Sequence, residues 1–335
     1  MTQSHFTFSR VLVTGGAGFI GSNLVHELNN RRVENIVIAD FLGTDQNWRN
    51  IEPLAFADYV DAAALPDGLE PGKVGDFDLV LHMGACSSTT ERDAAYLMRN
   101  NYEYTKRLAH WSIDHGARFV YASSAATYGN GNAGMDDASD LATLRSYHPL
   151  NMYGYSKHLF DLYAAQNGLF DRITGVKYFN VFGPREGHKG DMRSMVLKAW
   201  EQIADTGIVR LFRSYREDFA DGEQRRDFIY VKDAVDMTLH LAETPTAAGL
   251  FNIGSGRAET WLDLARAVFA AMKREPQIEF IDMPEEMRAA YQYHTVADIR
   301  RLRDTGYDRE ITTLGDAVED YVTRYLARDS KGEGK

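Results

Sequence analysis

The stretch Thr14-Gly15-Gly16-Ala17-Gly18-Phe19-Ile20-Gly21 decides the fold. It follows a short apolar run at residues 10–14, and residues 19–29 then continue with helical spacing of apolar side chains. Strand, glycine turn and helix in this order are typical of the first unit of a doubly wound α/β fold. Glycine permits the backbone angles of such a turn and lets main-chain N–H groups approach a pyrophosphate, whose charge is favoured at a helix N-terminus. The turn therefore predicts a dinucleotide site whose members are Gly15, Gly18, Phe19, Ile20 and Gly21.

A second apolar run supports this interpretation, because a glycine triplet alone is also compatible with a purely structural turn. Residues 35–40, Asn-Ile-Val-Ile-Ala-Asp, form a predicted buried strand that ends in an acid about 20 residues after the turn. An acid at that point usually holds ribose hydroxyls. Asp40 and the following Phe41 are therefore predicted to contact the cofactor.

Further apolar strands at residues 77–83 and 117–122 flank a helix-like stretch at 92–115. Alternation of this kind predicts a Rossmann-type, doubly wound parallel sheet, in which ligands collect beyond the carboxyl ends of the strands. Small residues follow both strands, and ordinary turns are the alternative interpretation of each. Cys86 is interpreted as a small neighbour of the cofactor and not as a nucleophile, because no base is paired with it in the sequence. The predicted cofactor contacts after the first of these strands are Met83, Gly84, Ala85, Cys86 and Ser87.

The length of 335 residues predicts a main domain with a smaller lobe attached. We expect residues 1–179 to form the dinucleotide-binding domain, with about 227–256 returning to it. The smaller C-terminal α/β lobe, which would bind substrate, is expected from residues 180–226 and 257–330. Residues 331–335 are charged and glycine-containing, and they are expected to fray.

Composition excludes several classes of protein. A net charge of −11 opposes nucleic acid as a partner, because phosphate backbones select basic surfaces. No apolar run of membrane-spanning length and no apolar signal core are visible, so a cytoplasmic protein without membrane contact is expected. With one cysteine there is no intramolecular disulfide, and no metal site is predicted.

The segment Tyr153-Gly154-Tyr155-Ser156-Lys157 predicts the proton chemistry. A hydroxyl that loses hydride must also lose a proton, and a tyrosine accepts it at neutral pH only if its phenolate is stabilised. Lys157, four residues on, lies on the same helical face as Tyr153 and can supply that stabilisation. Ser124 is expected to orient the substrate oxygen, and Tyr155 is expected to be a packing residue. The alternative is a helix in which Tyr and Lys occur by chance.

The glycine turn at residues 14–21, Ser124 and the Tyr153–Lys157 segment together resemble the marks of the extended short-chain dehydrogenase/reductase family. The resemblance covers nearly the whole chain. Within it, residues 82–91, 122–129 and above all 179–190 (Phe-Asn-Val-Phe-Gly-Pro-Arg-Glu-Gly-His-Lys-Gly) resemble the family's heptose epimerases. The resemblance implies inversion of an ADP-linked heptose through a 6-keto intermediate, for the inner core of lipopolysaccharide. It also implies a homo-oligomer, pentameric in the related enzyme.

In the heptose epimerases a lysine across the pocket serves as a second proton group, and Lys189 matches it. A solvated charge and a phosphate ligand are the other interpretations of Lys189. Relatives that dehydrate hexoses carry an Asp-Glu pair where Ala125-Ala126 follows Ser124 here, so elimination is disfavoured.

The resemblance also implies substrate contacts for Asn180, Phe212, Arg226 and Tyr291, and cofactor contacts for Asn100 and Val181. A guanidinium suits a diphosphate because of its paired donors. For Arg226 the alternative is an ion pair with Asp227 or Asp233, and for Tyr291 it is packing. The loop between Phe212 and Arg226 is several residues longer than in the relative compared.

The expected cofactor is NADP, with NAD as the alternative. Phe41, Asn47 and Ala62 stand where the relative has an asparagine and two lysines near the adenosine phosphate, which weakens the expectation of NADP, although Arg49 is a possible substitute. Two rival functions are another nucleotide-sugar epimerase or reductase of this family and a non-catalytic dinucleotide sensor.

Overall fold

The computed structural model describes residues 6–65, 76–288 and 291–329. The predicted fraying of residues 331–335 lies outside these ranges. The main feature of the fold is a sheet of seven parallel strands in the order β11-β6-β5-β4-β1-β2-β3. This order confirms the predicted Rossmann-type fold. The strands of this sheet are β1 (Val11–Thr14), β2 (Ile36–Asp40), β3 (Asp58–Asp61), β4 (Leu79–His82), β5 (Arg118–Ser124), β6 (Thr174–Tyr178) and β11 (Gly249–Ile253).

The inner strands of the sheet are buried on both faces, as their apolar runs predict, whereas the edge strand β3 is not. All four residues of β1 are buried. Val11 and Val13 belong to one apolar cluster and Leu12 to the other, because successive side chains point to opposite faces. The helices cover both faces. They are α1 (Phe19–Asn30), α2 (Ala94–Leu97), α3 (Tyr104–Asp114), α4 (Leu141–Arg145), α5 (Met152–Gln166), α6 (Met195–Asp205), α7 (Val231–Glu243), α8 (Trp261–Ala271), α9 (Glu285–Arg288), α10 (Arg300–Asp304), α11 (Leu314–Tyr321) and α12 (Ala327–Asp329).

Three two-stranded sheets lie outside the main sheet among the described residues. Two are parallel: β7 (Asn180–Phe182) with β10 (Phe228–Tyr230), and β8 (Val209–Phe212) with β13 (Ile278–Ile281). The third is antiparallel and joins β9 (Arg225–Arg226) to β12 (Glu259–Thr260). Their residues come from the segments predicted to bind substrate and from the predicted return at 227–256, and the division into two lobes stays a prediction.

Within the described ranges, none of the helices is long and apolar enough to cross a membrane. No group of three or more His, Cys, Asp or Glu side chains in those ranges is arranged to hold a metal ion.

Candidate active site

A cavity of about 1000 Å³ opens beyond the carboxyl ends of β1, β4 and β5. The carboxyl ends of parallel strands are where ligands collect in such sheets. The four predicted catalytic residues, Ser124, Tyr153, Lys157 and Lys189, all line it. So do the predicted substrate residue Asn180 and all the predicted cofactor residues: Gly15, Gly18, Phe19, Ile20, Gly21, Asp40, Phe41, Met83, Gly84, Ala85, Cys86, Ser87, Asn100 and Val181.

Two positions of the glycine turn admit no side chain. Gly15 has a φ of +66°, and a Cβ placed on it would lie 2.6 Å from the backbone nitrogen of Gly84. A Cβ on Gly21 would overlap the carbonyl oxygen of Gly15. The turn is therefore packed tightly against both its own helix and the loop after β4, which brings the N-terminus of α1, a favourable place for a pyrophosphate, to the cavity.

A buried histidine, which the sequence analysis did not single out, holds the turn against the loop after β4. His82 is fully buried, and burial keeps its pKa well below the usual range, so the ring is neutral. The Thr105 hydroxyl donates to the Asn101 carbonyl at 2.6 Å, so it accepts from His82 Nε2 at 2.8 Å. His82 Nδ1 then accepts from the Thr14 hydroxyl at 2.6 Å, and Thr14 Oγ1 accepts from the Gly84 N–H at 3.1 Å. This directed chain fixes Gly84 beside the turn.

Asp40 lies at the end of β2, where the sequence predicts a ribose contact. Its carboxylate accepts from the backbone N–H of Ala17 at 2.8 Å and of Phe41 at 2.7 Å. Burial raises the pKa of Asp40, and these hydrogen bonds oppose that rise. The carboxylate thus already supports the glycine turn, and the Phe41 ring beside it is 52% exposed.

The helix that carries Tyr153 is packed closely on the turn that follows Ser124. The Asn151 side chain caps the helix by accepting from Gly154 N at 2.8 Å. A Cβ on Gly154 would lie 2.8 Å from the Ala126 carbonyl oxygen, so glycine is needed for this approach. Burial raises the pKa of the Tyr153 phenol, while a hydrogen bond from Ser124 opposes the rise. The phenol alone is therefore a poor base and needs a nearby cation.

Lys157, the cation that the sequence predicts for this role, is only 4% exposed. Its ammonium donates to the Ala122 carbonyl at 2.8 Å. Burial lowers its pKa to about 8, and the negative charges of Asp161 and of a Cys86 thiolate would raise it. At neutral pH the ammonium therefore keeps its proton and can stabilise a phenolate.

A buried ion pair lies one helical turn beyond Lys157. Asp161 and Lys177 are both fully buried, with Lys177 Nζ 2.6 Å from Asp161 Oδ2. Asp161 also accepts from the Tyr121 hydroxyl at 2.7 Å and the Ser123 hydroxyl at 2.8 Å, and Lys177 donates to Thr127 Oγ1 at 2.6 Å. The pair ties α5, β5, β6 and the turn after Ser124 together. The sequence analysis did not identify it.

Lys189 lies in a 3₁₀ turn, Gly187–Met192, on another wall of the cavity. Its ammonium is 4.9 Å from the centre of the Phe19 ring. Burial lowers its pKa, and the Glu186 carboxylate opposes this. Glu186 is fully buried and accepts from Gly183 N at 3.2 Å and from the backbone and hydroxyl of Ser194 at 2.5 and 2.7 Å. One carboxylate therefore fastens both ends of the segment that carries Lys189.

Three predicted substrate residues, Phe212, Arg226 and Tyr291, do not line the cavity. Arg226 is 6% exposed and stacks on two rings, Trp261 at 5.5 Å and Tyr291 at 5.0 Å. In the described part of the chain no carboxylate is within ion-pair distance of it: Asp227 accepts from Ser255, Gly256 and Ala297, and Asp233 from Thr312. The ion-pair interpretation of Arg226 is therefore wrong. Trp261 lines the cavity and was missed, because on sequence it resembles any core aromatic of a helix.

The expected packing role of Tyr155 is also wrong. Its side chain is 44% exposed, because it points from α5 to solvent and away from Tyr153. Burial raises the pKa of the Cys86 thiol, so it is not an activated nucleophile, which agrees with the sequence interpretation. The side chain of Asn101, next to the predicted Asn100, holds the Cys86 backbone: its Oδ1 accepts from the Cys86 N–H at 2.8 Å, and its Nδ2 donates to the Cys86 carbonyl at 2.9 Å.

The cavity also contains polar atoms that are available to a ligand. Two buried side-chain oxygens there, Asn47 Oδ1 and the Tyr104 hydroxyl, have no hydrogen-bond partner in the described part of the protein, although both residues line the cavity. Buried polar groups are normally paired, so these atoms suit a bound ligand. Arg99 and Arg107 line the same cavity.

Comparison with known proteins agrees with this geometry. Residues 11–254 match the model of the NAD dependent epimerase/dehydratase family. The chain belongs to that family. Members bind a nicotinamide dinucleotide, and the family membership confirms the predicted nicotinamide cofactor at this level.

Two proteins to which this chain is similar are both named ADP-L-glycero-D-manno-heptose-6-epimerase. The protein from Nitratidesulfovibrio vulgaris is 52% identical over 317 residues, which cover 94% of this chain and 98% of the relative. The protein from Fusobacterium nucleatum is 42% identical over 327 residues, covering 95% and 98%.

Solved structures show the same fold. The ADP-L-glycero-D-manno-heptose-6-epimerase of Helicobacter pylori has a TM-score of 0.80 and 26% identity, covering 98% of this chain and all of that one. The UDP-glucose 4-epimerase of Thermus thermophilus, solved with NAD, has a TM-score of 0.74 and 24% identity, covering 95% and 99%. The predicted family is thus confirmed.

Proposed function

We propose that this protein is an epimerase that interconverts ADP-D-glycero- and ADP-L-glycero-D-manno-heptose, for assembly of the lipopolysaccharide inner core. The observation that carries the proposal is one cavity lined by a family-type Ser124, Tyr153 and Lys157 set and, on a different segment, by Lys189. The names of relatives that are 52% and 42% identical over nearly their whole length support the heptose substrate.

The reaction inverts a carbinol carbon that has no neighbouring acidifying group. A nicotinamide cofactor, when bound, would supply the chemistry of hydride removal and return. Tyr153 takes the hydroxyl proton as the sugar is oxidised to its 6-ketone, with Ser124 orienting the oxygen and the Lys157 ammonium stabilising the phenolate. Because the hydride is returned, no net oxidation results, and because it is returned to the opposite face of the ketone, the carbon is inverted.

Inversion also moves the oxygen that must be protonated, so a single proton donor is misplaced for one of the two isomers. Lys189 answers this need as a second acid/base. Its cavity position and the lowering of its pKa by burial both support the role, because a lysine closer to neutrality exchanges protons more readily. Stacking on Phe19 opposes the interpretation of Lys189 as a freely solvated charge.

For the cofactor we propose NADP, with NAD as the competing candidate. Arg99 and Arg107, which line the cavity, support a 2′-phosphate. Asp40, Asp45 and the exposed Phe41 ring in the same lining favour NAD. Denaturing the purified protein and measuring the molecular mass of the released nucleotide by mass spectrometry decides between them.

Arg226 is proposed to bind the diphosphate of the substrate, as a buried guanidinium without a carboxylate partner in the described residues is suited to do. Contacts of Asn180, Phe212 and Tyr291 with substrate remain proposals, as do assembly into a homo-oligomer, with a pentamer as first candidate, and the two-lobed organisation. The cytoplasmic location predicted from the sequence stays a prediction.

The test is to incubate the purified protein with ADP-D-glycero-D-manno-heptose, without added reductant, and to follow inversion at C6 by NMR. Inversion with no net change in reduced nicotinamide supports the proposal. Absence of turnover there, with turnover on a hexose nucleotide, would favour another epimerase or reductase of the family. Binding of cofactor without turnover of any nucleotide sugar would favour a sensor, a role that the intact proton-handling residues oppose.

A further inference from the structure

Arg226, Trp261 and Tyr291 form a cluster of one buried cation and two rings, and one of the three, Trp261, lines the cavity. Trp261, the first residue of α8, forms part of the cavity wall and also packs edge-on against Phe228 at 5.1 Å, another lining residue. The Arg226 guanidinium lies against the indole at 5.5 Å. Trp261 therefore contacts both the cavity and the buried cation.

Arg226 depends on aromatic neighbours for its position. In the described part of the chain its one recorded hydrogen bond runs from Nη1 to the Arg225 carbonyl at 2.8 Å, and no carboxylate pairs with it. Burial lowers its pKa, which expresses the cost of holding a charge in this place without a counter-ion. The faces of Trp261 and Tyr291 offset part of this cost through cation–π contacts, which are strongest for desolvated cations.

The two rings are themselves linked. The indole Nε1–H of Trp261 donates to the Tyr291 hydroxyl at 2.9 Å. Tyr291 Oη therefore already accepts one hydrogen bond, and its own proton is left to donate elsewhere. Tyr293 packs edge-on against Tyr291 at 5.3 Å and restrains it from the other side. Trp261 thus contacts both Arg226 and Tyr291 and restrains the orientation of each.

We propose that Trp261 is a positioning residue for recognition of the nucleoside diphosphate group: its ring holds the Arg226 guanidinium in the one orientation in which it binds the second phosphate. The inference rests on the proposed function, because it takes a nucleotide sugar as the ligand. It adds a residue to which neither the sequence motifs nor the family resemblance assigns a role.

The experiment measures binding of ADP and of AMP by calorimetry to the protein saturated with its nicotinamide cofactor, so that adenine does not enter the cofactor site. The ratio of the two dissociation constants isolates the contribution of the second phosphate. In Trp261→Leu, which removes the ring, we expect the preference for ADP to fall about tenfold, which corresponds to about 1.4 kcal/mol. In Trp261→Phe, which keeps a ring under Arg226 but loses the bond to Tyr291, we expect a fall within about threefold.

The matched control is Trp200→Phe, because Trp200 is also half-buried in a helix but does not line the cavity. It should leave the ADP preference unchanged, and thermal melting of all three variants checks that they are folded. An unchanged preference in folded Trp261→Leu would overturn the proposal. So would an equal loss of ADP and AMP binding, which would make Trp261 a contact of the nucleoside instead.

Neither measurement uses turnover, so the proposal about Trp261 and the proposed reaction fail separately. If ADP preference falls in Trp261→Leu but the wild-type protein does not invert the heptose, the diphosphate site stands and the heptose substrate is wrong. If the heptose is inverted and the preference does not move, the positioning role is wrong and the reaction stands.

Discussion

Replacing either member of the buried Asp161–Lys177 pair should shift the pH dependence of catalysis, and the two replacements should shift it in opposite directions. Lys157 has a pKa lowered by burial to about 8, and the negative charge of Asp161 opposes the lowering. Catalysis should therefore fall above about pH 8, where the Lys157 ammonium loses its proton and no longer stabilises the Tyr153 phenolate. Other groups that act on Lys157 are Cys86, whose thiolate would raise its pKa, and the neutral His82.

The size of the shift follows from helix geometry. Asp161 is four residues after Lys157, roughly 6 Å along the helix axis. At an effective dielectric constant of about 20, two unit charges at that distance interact by roughly 2.8 kcal/mol, or about two pKa units. The Lys177 ammonium, 2.6 Å from the carboxylate, cancels a large part of this at Lys157. We therefore expect Asp161→Asn to move the alkaline limb down by about one pH unit. Lys177→Met leaves the carboxylate uncompensated and should move the limb up.

The assay is kcat/KM for the NMR-detected inversion between about pH 6 and pH 10, on variants whose melting has been measured, since breaking a buried pair commonly costs about 3–5 kcal/mol. The double variant Asp161→Asn/Lys177→Met removes both charges and should bring the limb back toward that of the wild type. Lys232→Met serves as the charge-matched control, because Lys232 pairs with Asp320 far along the chain from this site. If both single variants lose activity without moving the limb, or move it in the same direction, the electrostatic role of the pair is refuted and only a structural one remains.

Three further outcomes are expected. Tyr153→Phe and Lys189→Met should each slow inversion by at least about a hundredfold, the usual scale for an acid/base, with unchanged melting; full activity of Lys189→Met would contradict the paired proton groups. Glu186→Gln should lower kcat about tenfold and speed proteolysis near Lys189, because an amide offers one acceptor where the carboxylate receives three donors; equal proteolysis rates would argue against the anchoring role. Gly21→Ala should yield protein with little bound dinucleotide, measured as nucleotide released on denaturation, because its Cβ overlaps the Gly15 carbonyl; full occupancy would disprove that steric argument.

The cofactor half of the site could be predicted because its determinants are consecutive in the chain. A glycine that must adopt a positive φ, such as Gly15, and a glycine that must let a helix approach, such as Gly21, are encoded within one turn. The Tyr153 and Lys157 pair is likewise local, since four residues make one helical turn. The apolar runs then predict the parallel strands, and the carboxyl ends of these strands bring the two segments to one edge of the sheet.

What the sequence did not reveal depends on contacts between distant segments. Trp261 meets Tyr291 across 30 residues, and Lys177 meets Asp161 across 16 residues and two elements. A tryptophan in an amphipathic helix and a lysine in an apolar strand carry no local mark of these partners. The error about Tyr155 has the same origin, because periodicity placed it off the catalytic face but did not show that nothing covers the other face.

The two proposed proton groups, Tyr153 and Lys189, lie on segments of different rigidity, and we expect this difference to matter for the reaction. Tyr153 belongs to a 15-residue helix that is capped by Asn151 and tied to the sheet through Asp161. Lys189 belongs to the six-residue 3₁₀ turn Gly187–Met192, in which a Cβ added to Gly187 or to Gly190 would meet no atom within 4 Å. An inverting enzyme must turn the opposite face of a ketone toward the same hydride, so the sugar has to move between the two half-reactions. We expect the firmly held helix to keep the reacting carbon in place, and the shorter turn, whose two ends the Glu186 carboxylate fastens, to follow the sugar as it moves.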